Sequence, residues 1–205
     1  MITLLNLDQA GLSNTLFHNG ARWALGLALG LGTCAAVSSM TGCDQPTDTP
    51  TEKVVVAGKT FQLERSLNDE TRFKGLSLRT EIKPDGGMIF VFPKPNDLQF
   101  VMRDCPIPID IIYLDAAGRV TASHKMVAEP PRAEDEKELK PPQGFPNAPK
   151  WTWINEKYES RLKKYPSRFP AQYVIELKGN TLDEIKVKEG DKVEFDKDGL
   201  KKQAQ

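Results

Sequence analysis

Leu98–Asp115 reads LQFVMRDCPIPIDIIYLD. Two short apolar runs, Leu98–Met102 and Ile109–Leu114, flank a charged, proline-bearing corner, Arg103–Pro108. The pattern predicts a strand, a sharp corner and a second strand. In the second run Ile109, Ile111 and Tyr113 point one way, and Asp110, Ile112 and Leu114 point the other. Both sets are largely apolar, so this strand should be central and covered on both faces. Asp110 then sits where an unpaired carboxylate is costly. It needs hydrogen bonds or a cation, and the candidate partners are Arg103, Arg72 and the backbone amides of the corner.

Outward from this centre, short strands dominate. Val54–Val56 and Thr60–Arg65 are separated by a Gly58-Lys59 turn, and Phe61 and Leu63 alternate with polar residues. Met88–Phe92 is a continuous apolar run bounded by Gly87 and Pro93, the signature of a buried strand. Arg119–His124 returns after an Asp115–Gly118 turn. Tyr173–Leu177 and Lys192–Asp196 read as further strands. Asn68-Asp69-Glu70 opens a short helix limited by Gly75, and Thr181–Glu184 has the spacing of a capping box. Trp151, Ile154, Tyr158 and Leu162 fall on one helical face, predicting an amphipathic helix over Trp151–Lys164. Strands do not alternate regularly with helices, which argues against a doubly wound sheet. The expected fold is mainly β: a compact antiparallel sandwich or barrel with two or three short helices.

Composition narrows the function. Lys+Arg and Asp+Glu both number 28, so the formal net charge is zero. Nucleic-acid binders normally carry a basic excess to neutralise phosphates, and none is expected as a partner here. Before the domain, Trp23–Val37 is an apolar run of signal length that ends in Ser38-Ser39-Met40-Thr41-Gly42-Cys43. This resembles a bacterial lipoprotein signal, with residues 1–42 removed and Cys43 lipidated. An uncleaved anchor and an ordinary secreted chain are the competing readings. The expected location is the cell envelope, facing the periplasm or exterior, with the lipid in a membrane. Residues 43–52 read as a disordered tether. The domain should then span residues 53–196, with an insertion at about 125–169 and a polar tail at 197–205. Once Cys34 and Cys43 are set aside, Cys105 is the one remaining thiol, so no intrachain disulfide is expected.

Several motifs, taken in order, are similar to those of one family. Arg72-Phe73-Lys74-Gly75-Leu76 with Arg79 matches an R-x-x-G-L-x-x-R element. Gly87–Pro93 matches a G-M-L-F-V-F-P strand. Phe100–Arg103, Ile107–Ile111, Asp115 and Gly118 match an F-W-M-K … I-P-L-D-I … D-x-x-G centre, and Tyr173–Leu177 with Lys188, Gly190 and Asp191 matches a closing strand and turn. The chain thus resembles domain of unknown function 192, a family of small, often exported proteins. The resemblance implies a jelly-roll-like β fold and no particular activity. Three departures stand out. Val101 replaces the usual Trp, Asp104-Cys105-Pro106 replaces a more neutral segment, and Lys125–Phe169 is much longer than the usual connection.

The chemistry-bearing residues leave three readings open. In the first, a non-catalytic module binds an envelope ligand, glycan or protein partner beside Arg72, Met102, Arg103, Asp104, Asp110 and His124. In the second, an envelope hydrolase uses Asp104 and Asp110 as acid and base with His124. In the third, an assembly factor presents the insertion to a partner. Smaller ideas accompany these. Arg72 and Arg79, seven apart, would share a helical face as an anion clamp. Cys105 with His124 makes a formal nucleophile and base, unsupported by any local motif. Asp104, Asp110 and Asp115 would supply oxygen ligands to calcium, without an EF-hand pattern. Trp151, Trp153, Tyr158 and Tyr165 would offer stacking surfaces. No zinc-ligand spacing is present, and no metal or cofactor is expected.

Overall fold

In a computed structural model, the structure describes residues 50–205. The signal segment, Cys43 and the tether up to residue 49 lie outside the described residues.

Strand β1 (Thr51–Val56) and β2 (Lys59–Ser66) form a hairpin in which Val54 faces Phe61. The domain therefore begins two residues earlier than expected, inside the segment read as tether. Helix α1 (Asp69–Lys74) follows. The Asn68 side chain accepts a hydrogen bond from the Thr71 amide at 2.9 Å, as the capping pattern predicts, and Gly75 ends the helix. Strand β3 (Gly87–Asn96) then runs parallel to β2. Gly87 has a φ of +146°, and a Cβ there would lie 2.1 Å from the Glu176 carbonyl oxygen. Only glycine lets β3 start that close to its neighbour.

The stretch at the centre of the sequence folds as a short β4 (Gln99–Phe100), the corner, and β5 (Ile109–Leu114). The expected five-residue first strand is thus only two residues long. Strand β6 (Val120–Met126) pairs antiparallel with β5. The Asp115 carboxylate holds the connecting turn by accepting from the Ala117 and Arg119 amides, both at 2.8 Å. The insertion contains helix α2 (Glu156–Arg161) and β7 (Tyr165–Pro166), which pairs with β4. Strand β8 (Ala171–Lys178), α3 (Thr181–Ile185) and α4 (Lys197–Gln203) complete the domain.

The main sheet has the order β1-β2-β3-β8-β5-β6. It is mixed, because β2 and β3 are parallel. Strand β8, near the end of the chain, sits between β3 and β5 and joins the two halves. The segment around Lys192 does not make a closing strand. It bridges both sheet edges instead: Glu194 exchanges two hydrogen bonds with Val55 of β1, and Arg119, just before β6, bridges Lys192. Residues two apart thus touch opposite edges, so the sheet curls there. The barrel is not closed, since β1 and β6 do not pair. The bridges satisfy part of each edge, at Val55 of β1 and at Val120 of β6, which blunts edges otherwise prone to aggregation.

Each sheet face has its own core. One contains a residue from every strand, Val54, Phe61, Ile89, Ile112, Val120 and Ile175, closed by Ile185 and Leu200. Leu200 is 1% exposed, so the segment expected as a polar tail is a docked helix. The other face packs Phe90, Ile111, Tyr113 and Val174 against Phe100, Met102 and Cys105 of the corner and Tyr165 of β7. Phe90, Phe100 and Tyr113 meet edge to face at 5.1 and 5.7 Å, the geometry aromatic quadrupoles favour.

The predicted helix over Trp151–Lys164 is broken. Residues Lys150–Thr152 form a single 3-10 turn, and α2 starts only after Asn155, whose side chain accepts from the Tyr158 amide at 3.0 Å. That local cap ends the upstream turn and starts a new helix, overriding the longer apolar period.

Candidate functional site

The residues proposed from sequence do not converge on one site. Asp110 lies opposite Leu177 and Lys125, and so faces the core that contains Ile112 and Leu114. His124 lies opposite Ile111 and so faces the other core. A sheet separates the two groups, and the Asp110–His124 acid–base pair of the hydrolase reading does not exist. Asp110 is 1% exposed and accepts from the Leu182 amide of α3 at 2.7 Å. It caps that helix from 72 positions upstream, where Thr181 was expected to do so. Burial pushes its carboxyl above the usual carboxylate range, with the Leu182 and Asn180 amides opposing. His124 Nε2 lies 2.7 Å from the Pro166 carbonyl, and its ring packs near Tyr113 and Tyr165. It pins β7 to β6.

The other expected groupings also come apart. Arg72 is buried under α1, donates to the Val91 carbonyl at 2.6 Å, pairs with Asp69 and also donates to the Gln205 carbonyl. Arg79 lies past the end of α1 and pairs with Glu64 at 2.6 Å, so the two arginines form no clamp. Asp104, Asp110 and Asp115 go to a salt bridge, a helix cap and a hairpin turn respectively. Among the described residues no cluster of acids, histidines or cysteines is arranged to hold a metal ion. Met102 is core. Trp151 meets Phe73 edge-on at 5.7 Å, and the Trp153 indole donates to the Ala148 carbonyl at 3.0 Å, so the aromatics are structural anchors rather than one stacking platform.

What does converge is two of the departures, the Asp104-Cys105-Pro106 corner and the insertion. Asp104 takes a two-pronged salt bridge from Arg132, Nε to Oδ1 at 2.7 Å and Nη2 to Oδ2 at 2.8 Å. Its backbone amide donates to the Tyr158 hydroxyl at 2.9 Å. Arg103 is held two-pronged by Glu159 of α2, with Nη2 to Oε2 at 2.5 Å, and its guanidinium stacks on Phe73 at 4.4 Å. Arg161 in turn grips Glu136 through two 2.9 Å bonds. The Tyr158 ring carries Arg132 at 3.8 Å and Arg161 at 4.7 Å. Planar guanidinium–carboxylate forks and cation–π contacts of this kind give a loop a fixed seat. The insertion is therefore tied down: Glu136 and Tyr158 are 3% and 1% exposed.

Between corner and insertion lies a cleft of about 370 Å³. Leu78, Pro106, Pro130 and Pro131 give it apolar walls, and Asp104, Cys105, Arg132 and Tyr158 lie along it. Burial pushes the Cys105 thiol up to about 11, which favours the protonated form, and its Sγ donates to the Arg103 carbonyl at 3.5 Å. Leu78 is 78% exposed with a φ of +64°, held by its amide donating to the Asp104 carbonyl at 2.8 Å. Asp104 itself has a φ of +53°. Two non-glycine residues in the left-handed region, bonded to each other, line this cleft. Asp104 was singled out from sequence, and Tyr158 only as one of four stacking aromatics; Leu78 and Arg132 were not. The one signal for Arg132 was charge: an extra acid in the corner and an arginine directly after Pro130-Pro131 in the extra segment.

The architecture is that of a β-rich domain with an open, mixed sheet and a strapped cleft. The chain belongs to domain of unknown function 192, whose family model, described as an uncharacterised ACR, matches residues 52–195. No curated protein matches it. The fold is similar to that of a candidate transcription regulator from Sinorhizobium meliloti, 22% identical with a TM-score of 0.52 over 72% of this chain and 95% of that one. It is also similar to a protein of unknown function from Novosphingobium aromaticivorans, 26% identical with a TM-score of 0.50 over 70% and 83% of the two chains.

Proposed function

We propose that this chain is a lipid-anchored, non-catalytic binding module of the cell envelope, with its ligand site in the cleft between the Asp104–Pro106 corner and the insertion. The observation that carries the reading is the cleft itself. It is walled by two segments in which this chain departs from the resembled pattern, and paired arginines hold those segments together. A preformed concavity of this size with apolar walls is the usual form of a small-ligand site. The site is thus displaced from the sequence expectation: Asp104 remains, whereas Arg72, Met102, Asp110 and His124 serve the fold. The anchor rests on Trp23–Cys43 alone. Mass spectrometry of small molecules that copurify from the native envelope tests the site; a stoichiometric ligand is expected, and none would count against it. Radiolabelled palmitate should enter the parent chain and not Cys43→Ser; equal labelling of both would remove the anchor.

A second reading, the insertion as a protein-docking surface, draws on Leu139 and Phe145, which are 43% and 47% exposed on that segment. Replacing both with Ser should abolish capture of an envelope partner. Unchanged capture would reject it.

A further inference from the structure

We infer that the cleft receives an alkyl chain, the hydrocarbon part of a lipid. The inference rests on the reading of the cleft as the ligand site and names the class of ligand. Most hydrogen-bonding groups along the walls already have partners in the protein. Pro106, Pro130 and Pro131 have no N–H to offer. The carbonyls of Pro130 and Pro131 accept from Arg161 Nη2 at 3.0 and 3.1 Å. Both oxygens of Asp104 are held by Arg132, whose remaining Nη1 donates to the Glu136 carbonyl at 3.0 Å. Glu129 accepts from the Lys163 amide at 3.0 Å, and Lys137 pairs with Glu134 at 2.6 Å. The Asp104 carboxylate and the Pro130 and Pro131 carbonyls are thus held by the protein, while Glu129 and Lys137 each keep part of their charge toward solvent.

A sugar or a peptide brings donors and acceptors that lose water on entry and must be paired again. These walls offer little in exchange. An alkyl chain brings none, and its burial is favourable in proportion to the apolar area removed from water. Leu78 agrees with this. It stands on the rim, 78% exposed, in a backbone conformation that costs energy for a branched apolar residue. A chain lying in the cleft covers that side chain and Pro106 together. At about 370 Å³ the cleft is at the small end for ligand pockets, suited to one chain rather than to a whole lipid.

The test is photo-crosslinking of the full chain in its native membrane. Cells are fed a long-chain fatty acid bearing a diazirine and irradiated, and adducts are mapped by peptide mass spectrometry. Adducts should concentrate on peptides containing Leu78, Pro106 and Pro130–Arg132. In Leu78→Asp they should fall at least fivefold. Asp tolerates the left-handed conformation better than Leu, so this variant should keep the parent's melting temperature. A second arm uses Cys43→Ser: adducts that persist come from surrounding lipid, and adducts that vanish come from the chain's own acyl group. Both are alkyl chains in the cleft. Labelling no denser there than around exposed Phe169 overturns the inference. If a polar molecule or peptide then copurifies and protects the cleft from hydrogen exchange, the site stands and only the ligand class fails. If nothing does, both fail.

Discussion

Asp110 shows how a single residue can look catalytic and serve the fold. A carboxylate inside a buried strand must find donors, and here it finds the first-turn amides of α3. Its raised pKa fixes the sign of a prediction. The folded state binds the proton more tightly than the unfolded chain, so the contribution is present below about pH 4 and is lost as pH rises through the folded value. Asp110→Asn keeps an acceptor for the Leu182 amide and removes the charge. It should gain stability relative to the parent as pH rises above about 4 in urea melts, whereas Asp110→Ala should lose about 1 kcal/mol with the cap below about pH 4, a deficit that narrows as pH rises. A parent and an Asn variant with parallel pH profiles would contradict this. Cys105 makes a simpler case. With its thiol protonated and 5% exposed, it should react with an aromatic disulfide at pH 8 only as fast as the domain unfolds. Rapid native labelling would show a different environment.

At the scale of elements, the corner and the insertion are one unit. Asp104 and Arg132 are partly buried and fully paired, and removing either leaves the other without its fork. Asp104→Ala and Arg132→Ala should each cost on the order of 2 kcal/mol, and the double variant much less than their sum. Limited proteolysis within residues 129–149 should accelerate in all three, and additivity would mean the strap is held elsewhere. Glu136 gives the strap a pH limit. The Arg161 guanidinium, with the Ala133 amide, holds its carboxyl down to about 2. The folded value is depressed, so this contribution is present above about pH 4.5 and lost as pH falls toward 2. Hydrogen exchange should therefore show the insertion loosening between pH 4 and 2 ahead of the β-sheet, and Glu136→Gln should already be loose at pH 7.

Over the whole molecule, β8 decides integrity. It is the strand that lies between β3 and β5 and so pairs with both the β1-β2-β3 and β5-β6 halves of the main sheet, and it comes after the entire insertion. Its pairings are all long-range, so folding must close large loops before they are rewarded. A chain ending before Ala171 should retain no cooperative unfolding transition by circular dichroism. A cooperative melt in that truncation would mean that the halves fold independently.

The sequence by itself determined the strands, the turns and the family. Alternation, glycine and proline punctuation and buried apolar runs are local signals, and they were correct for β2, β3, β5, β6 and β8 within a few residues. It also marked Asp110 as buried and the corner and insertion as unusual. Only the tertiary structure decided that β2 and β3 are parallel, that Lys192–Glu194 bridges two edges instead of forming a strand, and that Leu200 docks. The same holds for the site. Strand alternation already put Asp110 and Ile111 on opposite faces, but His124 could be assigned a face only once the β5–β6 register was known. Arg132 and Asp104 are 28 residues apart with nothing periodic between them, so no local pattern predicts their pairing. Local patterns report each segment's own hydrogen bonding and burial; which segments meet is fixed by the packing of the whole chain, and the cleft exists only where two of them meet.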